Sequence, residues 1–209
     1  TLTISDLFVI AEQLGFVWKL EKLCRNKALK AAVEKPENVK LFLNVDGNII
    51  QDKAFIQGFT NRKAMKAGVP ASDIVFEITE RSDIENYQIL QQIMKHYADQ
   101  GYEIALDDVG AGHSGLNRVV NTTPDYLKAD IELVRDIHKY KKKEIMMKLL
   151  LDYCNATGAI LIAEGIETVQ ELECLHSLGV HYGQGFFLGK PERAFGNISA
   201  ESEETLERL

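Results

Sequence analysis

The chain has 209 residues, and its 24 Lys and Arg against 31 Asp and Glu leave a net charge of −7, with 45% of positions hydrophobic. This composition excludes a disordered, collagen-like or disulfide-scaffold chain, and at roughly 100–200 residues per domain the length suits one large domain or two small ones. The longest apolar run, GAILIA at 158–163, falls far short of the ~20 residues that a membrane span needs. The N-terminus does not read as a signal peptide. An acidic chain is also a poor binder of duplex nucleic acid, which calls for a basic face against the phosphates. Cys24, Cys154 and Cys174 lack any Cys-x-x-Cys spacing and read as unpaired thiols of a reducing compartment, the cytoplasm.

Residues 5–34 carry only a helical pattern, broken near Gly15, with Phe8, Ile10, Leu14, Leu20, Leu23 and Leu29 apolar. Beyond them one pattern repeats: a short apolar run, a turn, then a longer stretch at helical spacing. Strands are expected at 40–46 (KLFLNVD), 73–80 (DIVFEITE), 102–108 (YEIALDD), 125–130 (DYLKAD), 159–164 (AILIAE) and 181–187 (HYGQGFF). Helical spacing between them is marked by Ile84, Tyr87, Leu90, Met94 and Tyr97, and again by Ile145, Leu149 and Tyr153. Such alternation is the signal of a parallel α/β sheet. The run Lys139, Lys141, Lys142 and Lys143, closed by Glu144, reads as a solvated helix face. No Pro-, Gly- or Ser-rich linker divides the chain, so a single domain over 1–198 is expected, with 199–209 as a short terminal helix or solvated tail.

Each apolar run turns polar near its C-terminal end: Asn44, Glu77, Asp107 with Asp108, Lys128, Glu164 and Gln184. In a barrel of parallel strands these ends converge on one rim, where active sites lie. Parity agrees, because side chains alternate faces and Phe42 shares a face with Asn44, Val75 with Glu77, Ala105 with Asp107 and Ile162 with Glu164. Gathering Glu77, Asp107, Asp108, Glu164 and Glu167 against Lys128 leaves a local charge of −4, which cannot persist uncompensated. Two divalent cations would cancel it. The donors are oxygens, with no His or Cys at the strand ends, which favours Mg²⁺ or Mn²⁺ over Zn²⁺. Paired hard cations serve in-line displacement at phosphorus, and they would let an acidic protein hold a phosphodiester.

EITE (77–80), ALDDVGAGHSGL (105–116), PDYLKAD (124–130), IAEGIET (162–168) and GQGFFLGKP (183–191) resemble, in order and spacing, the motifs of EAL-domain cyclic-di-GMP phosphodiesterases. The resemblance implies a TIM-type (β/α)8 barrel that uses two Mg²⁺ or Mn²⁺ ions to hydrolyse one phosphodiester of cyclic di-GMP, giving linear pGpG. It implies metal ligation by Asn44, Glu77, Asp107, Asp108 and Glu164, with catalytic roles for Lys128, Glu164 and Asp108. Lys128 corresponds to the lysine that orients and polarises the attacking water. Asp130, Glu167 and Gln184 correspond to substrate-binding or supporting residues, and Glu80 to a glutamate that holds the loop after the paired aspartates. In that loop the family usually carries aromatic and hydroxyl residues where this chain has Val109, Ala111, His113 and Gly115. His113 is read either as a phosphate or metal ligand or as a loop residue facing solvent. The family also brings homodimers and attached sensor or cyclase domains.

The Glu-Ala-Leu tripeptide that gives the family its name does not occur in these 209 residues. About six of the eight barrel strands are therefore expected here, with the chain a fragment and the strands at 40–46 and 181–187 left as open edges. Two other readings stand beside the phosphodiesterase. One is a degenerate EAL domain that acts as a cyclic-di-GMP receptor or protein-interaction module. The other is an enolase-type barrel lyase, which the adjacent Asp107 and Asp108 and the Gly-Ala-Gly loop fit poorly.

Overall fold

The first helix begins where Thr3 and Asp6 cap one another. Thr3 Oγ1 accepts the Asp6 N–H at 3.1 Å and the Asp6 carboxylate accepts the Thr3 N–H at 2.8 Å, which starts α1 (Ile4–Gln13). Gly15, in the left-handed region at φ 68°, turns the chain into α2 (Val17–Ala31), so the break falls where the sequence puts it. The computed structural model describes residues 3–78, 87–110, 115–192 and 195–209. These fall into two compact units, Thr1–Ile104 and Ala105–Leu209.

In the first unit β1 (Leu41–Val45) is followed by α3 (Phe59–Ala67), β2 (Ile74–Ile78) and α4 (Tyr87–Ala98). β1 and β2 pair in parallel, with Asn44 opposite Glu77. All five residues of β2, IVFEI, are buried, as a strand covered on both faces requires. Its core is aromatic: Trp18 meets Phe59 edge-on at 5.6 Å, and Phe76 lies 4.0 Å from Tyr97 and 5.0 Å from Tyr102, centroid to centroid.

An ion pair lies inside that aromatic core. Arg25 and Glu21, each 2% exposed, stand one helical turn apart on α2 and bond directly. Arg25 also donates to Thr60 Oγ1 and Tyr97 Oη, both at 3.2 Å, and its guanidinium lies 5.3 Å from the Trp18 ring and 5.1 Å from the Phe76 ring. The other Glu21 oxygen accepts the Asp46 N–H at 2.5 Å. Burial pushes Glu21 up to about 7, against the opposing pull of Arg25 and the Asp46 N–H.

β3 (Glu103–Val109) carries the chain into the second unit, which continues through α5 (Gly115–Asn121), β4 (Tyr126–Ala129), α6 (Ile131–Val134), α7 (Lys141–Thr157), β5 (Ile160–Glu164), α8 (Val169–Ser177), β6 (Tyr182–Gln184) and α9 (Ala200–Arg208). β3, β4, β5 and β6 are parallel neighbours in chain order. This strand-and-helix alternation, repeated over both units, is that of a (β/α)8 barrel, with six strands among the described residues.

The sixth strand is shorter than its apolar run. At Gly185 a Cβ would run into the backbone of Ile166, and the Phe187 N–H bonds Ile166 O at 3.0 Å, so the chain leaves the sheet after Gln184 and Phe186 is exposed. In α9, capped by Ser199, one face is held: Ser202 is fully buried and bonds Phe187 O at 2.5 Å, and Arg208 pairs with Glu173 at 2.8 Å. The lysine run at the start of α7 is engaged with its own surroundings, Lys139 with Asp136 at 2.7 Å and Lys141 with Glu144 at 2.6 Å. No described helix is long and apolar enough to cross a membrane.

Candidate active site

Consecutive residues on a regular strand point to opposite faces, so Asp107 and Asp108 could not ordinarily serve one site. β3 solves this with a bulge. Leu106 sits opposite Leu127, but Val109 sits opposite Ala129, so β3 holds one more residue than β4 over this stretch. Asp108 adopts the left-handed conformation at φ 56°, which Asp tolerates better than most residues. The result is that Asp107, Asp108 and Glu164 each offer a carboxylate oxygen within 4.8 Å of the others.

Lys128 enters this cluster from β4. It is 4% exposed, and its Nζ lies 2.9 Å from Asp107 Oδ1 and 2.5 Å from Glu164 Oε1. Burying an ammonium is costly unless it is paired, and here two carboxylates pair it. Burial pushes Glu164 up to about 7; Lys128 pulls it down and the Asp107 charge pushes it further up. Three carboxylates and one lysine remain a net anionic cluster. Its all-oxygen donor set, half-buried and clustered on one side, fits a hard divalent cation.

Beside this cluster lies a cleft of about 510 Å³, lined by Ile131, Gly165, Glu167, Gln184, Phe186 and Lys190. Glu167 and Gln184 are exposed to it. Gly165, at φ 70°, is pressed against Ile131, where a Cβ would collide with the isoleucine side chain. Asp130 caps α6, its carboxylate accepting the Glu132 N–H at 2.7 Å, and so shapes the turn that follows Lys128.

The second unit thus brings together Asp107, Asp108, Lys128 and Glu164, with Glu167 and Gln184 on the neighbouring cleft. In the first unit Asn44, exposed, and Glu77, buried, are register partners at the ends of β1 and β2. Glu80 and His113 lie outside the described residues. The sequence reading passed over Glu171, whose buried carboxylate accepts the N–H groups of Glu167 at 2.9 Å, Thr168 at 3.0 Å and Asp136 at 2.8 Å. Its signal was present as the capping box Thr168-x-x-Glu171 at the start of α8.

Parallel strands with carboxylates and a buried lysine at their C-terminal ends mark a (β/α)8-barrel protein with an acidic, cation-accepting site. Within that class the chain belongs to the EAL domain family, whose model matches residues 1–191. Over 193 residues it is 28% identical to the cyclic di-GMP phosphodiesterase PdeR of Escherichia coli K12, spanning 89% of this chain and 28% of that protein. It is 26% identical over 192 residues to the cyclic di-GMP phosphodiesterase PdeA of Borreliella burgdorferi, spanning 90% of this chain and again 28% of the relative. Among solved structures, BlrP1 of Klebsiella pneumoniae in complex with calcium and cyclic di-GMP matches with a TM-score of 0.81 at 28% identity, covering 87% of this chain and 47% of that one. A manganese complex of BlrP1 gives the same values. The chain therefore spans under a third of these curated relatives' length, and its fold is the EAL type of (β/α)8 barrel with six strands described.

Proposed function

We propose that this chain is the catalytic domain of a divalent-cation-dependent phosphodiesterase that hydrolyses cyclic di-GMP to linear pGpG in second-messenger signalling. The observation that carries the reading is Lys128, buried between Asp107 and Glu164 with Asp108 turned to join them, on a chain of the EAL family. Asp107, Asp108 and Glu164 would hold a divalent cation, Mg²⁺ or Mn²⁺, and the family resemblance gives Asn44 and Glu77 the same role toward a two-ion set. Bound there, the ions supply positive charge to the phosphate oxygens and make water a stronger acid.

The remaining work falls to the chain's own groups. Lys128 donates hydrogen bonds that hold and polarise the attacking water, and its two carboxylate partners fix the ammonium in place. Water oxygen bonds to phosphorus as the bond from phosphorus to the 3′ oxygen breaks, and the leaving oxygen takes up a proton; the ring opens to pGpG. Glu167 and Gln184 face the dinucleotide across the cleft, and Asp130 keeps the turn after Lys128 in shape. Three unpaired cysteines fit a cytoplasmic setting, where the dinucleotide acts as a messenger.

The test is incubation of the full-length protein with cyclic di-GMP and Mg²⁺ or Mn²⁺, with the products separated by chromatography. Wild type should yield pGpG, and Asp107→Asn or Lys128→Met should lower turnover at least about a hundredfold. Nucleotide binding without product, with either ion, would replace this reading with that of a receptor.

A further inference from the structure

One buried carboxylate ties the loop that carries Glu167 on the cleft to the segment between α6 and α7. Glu171, 3% exposed, sits at the third position of α8, and its two oxygens accept three backbone N–H groups. Oε2 takes Glu167 and Thr168, at 2.9 and 3.0 Å, in the loop that leaves β5 directly after Glu164. Oε1 takes Asp136 at 2.8 Å, in the segment between α6 and α7 that follows Lys128 and Asp130. Asp136 stands at φ 56°, in the left-handed region that Asp tolerates better than most residues. The loop after β5 has a second anchor, since Ile131 at the start of α6 packs against Gly165. Burial alone would raise the Glu171 carboxyl, but the three N–H donors outweigh it and hold the group below the usual carboxylate range.

Only an ionised carboxylate can accept all three N–H groups; an amide in its place turns one acceptor into a donor. The chemistry at Lys128 and Glu164 does not depend on this clamp, because the parallel pairing of β4 with β5 sets their approach. What hangs on it is the wall of the cleft that carries Glu167. We propose that Glu171 is a positioning residue for ligand binding, anchoring the loop with Glu167 to the segment with Asp136 so that the cleft wall stands where the dinucleotide needs it. This inference rests on the proposed function for the identity of the ligand, and on geometry alone for the clamp.

The experiment compares full-length wild type, Glu171→Ala and Glu171→Gln by steady-state kinetics with cyclic di-GMP and Mn²⁺, and by amide hydrogen exchange without ligand. Glu171→Ala should raise KM roughly tenfold, the size of one charge-assisted hydrogen bond, with kcat within about twofold of wild type. Its amides at Glu167, Thr168 and Asp136 should exchange faster. Glu171→Gln keeps one oxygen for Glu167 and Thr168, so its KM should return to within about threefold of wild type, with only the Asp136 amide loosened. A KM for Glu171→Ala equal to that of wild type, with only the unfolding temperature lowered, would make the residue merely structural and overturn the proposal. If wild type neither binds nor cleaves the dinucleotide, the functional reading falls. In that case amide exchange still judges the clamp, and rates at Glu167 and Asp136 unchanged in both variants overturn it. Should Glu171→Ala fail to fold, Glu171→Gln decides alone: an Asp136 amide as protected as in wild type refutes the clamp.

Discussion

Lys128→Met removes the cation that pairs with Asp107 and Glu164 while keeping most of the side-chain volume. At an effective dielectric constant of 20, contacts at 2.9 Å to Asp107 and 2.5 Å to Glu164 are each worth about 6 kcal/mol before desolvation. Returning the ammonium to an apolar side chain recovers much of that, and removal of one partner from a buried pair leaves a net loss of about 3–5 kcal/mol. The loss has a specific remedy. A divalent cation replaces the missing charge, and an ion at a hundred times its dissociation constant stabilises by about 2.7 kcal/mol. The variant should therefore unfold at clearly lower urea than wild type in the presence of a chelator, and, because its cluster is the more anionic, millimolar Mn²⁺ should stabilise it more than wild type and narrow the gap without restoring turnover. Urea unfolding followed by circular dichroism measures both. Equal stability of variant and wild type in chelator, or a gap that Mn²⁺ leaves unchanged, would refute the charge argument.

Asp108→Asn keeps a residue that tolerates the left-handed backbone and removes its charge. Its stability should stay within about 0.5 kcal/mol of wild type while Mn²⁺ affinity, read by calorimetry, falls roughly tenfold; Asp108→Ala should lose about 1 kcal/mol more through its φ. Gly185→Ala places a methyl group against the backbone of Ile166, which cannot yield as a side chain can. It should cost at least the 1–3 kcal/mol of overpacking in a thermal melt and weaken dinucleotide binding through Gln184. The Glu21 carboxyl, held at about 7 in the folded chain against 4.5 as its reference, keeps a proton that the unfolded chain has already lost. Its contribution to stability is thus fully present below the reference value and declines as pH rises toward 7. Glu21→Gln should flatten that slope in urea titrations run from pH 4.5 to 7.5.

The site was legible to different depths. Each strand-end residue can be picked out because apolar runs of strand length rarely end polar six times over, and all six runs contain a strand. Parity, however, assigns Asp107 and Asp108 to opposite faces, and no local pattern announces that β3 has one residue too many for its partner. The bulge exists because Val109 must find its place opposite Ala129, a constraint from another strand. Glu21 and Arg25 were equally hidden. A Glu and an Arg four residues apart on a helix are ordinarily a surface pair, and only the aromatic side chains packed over α2 put these two in the interior.

Glu171 shows the same division on a smaller scale, since the capping box of α8 is readable from Thr168 and Glu171 but the Asp136 N–H comes from a loop 35 residues away. Local rules of period, capping and turn chemistry thus set the order of elements, the strands and the polar residues at their ends, because each depends on neighbours along the chain. Which carboxylates meet, which lysine neutralises them and which charges are buried depend on pairing between distant segments. Those choices belong to the tertiary structure, where burial raises the cost of an unpaired charge and leaves only mutually satisfied arrangements.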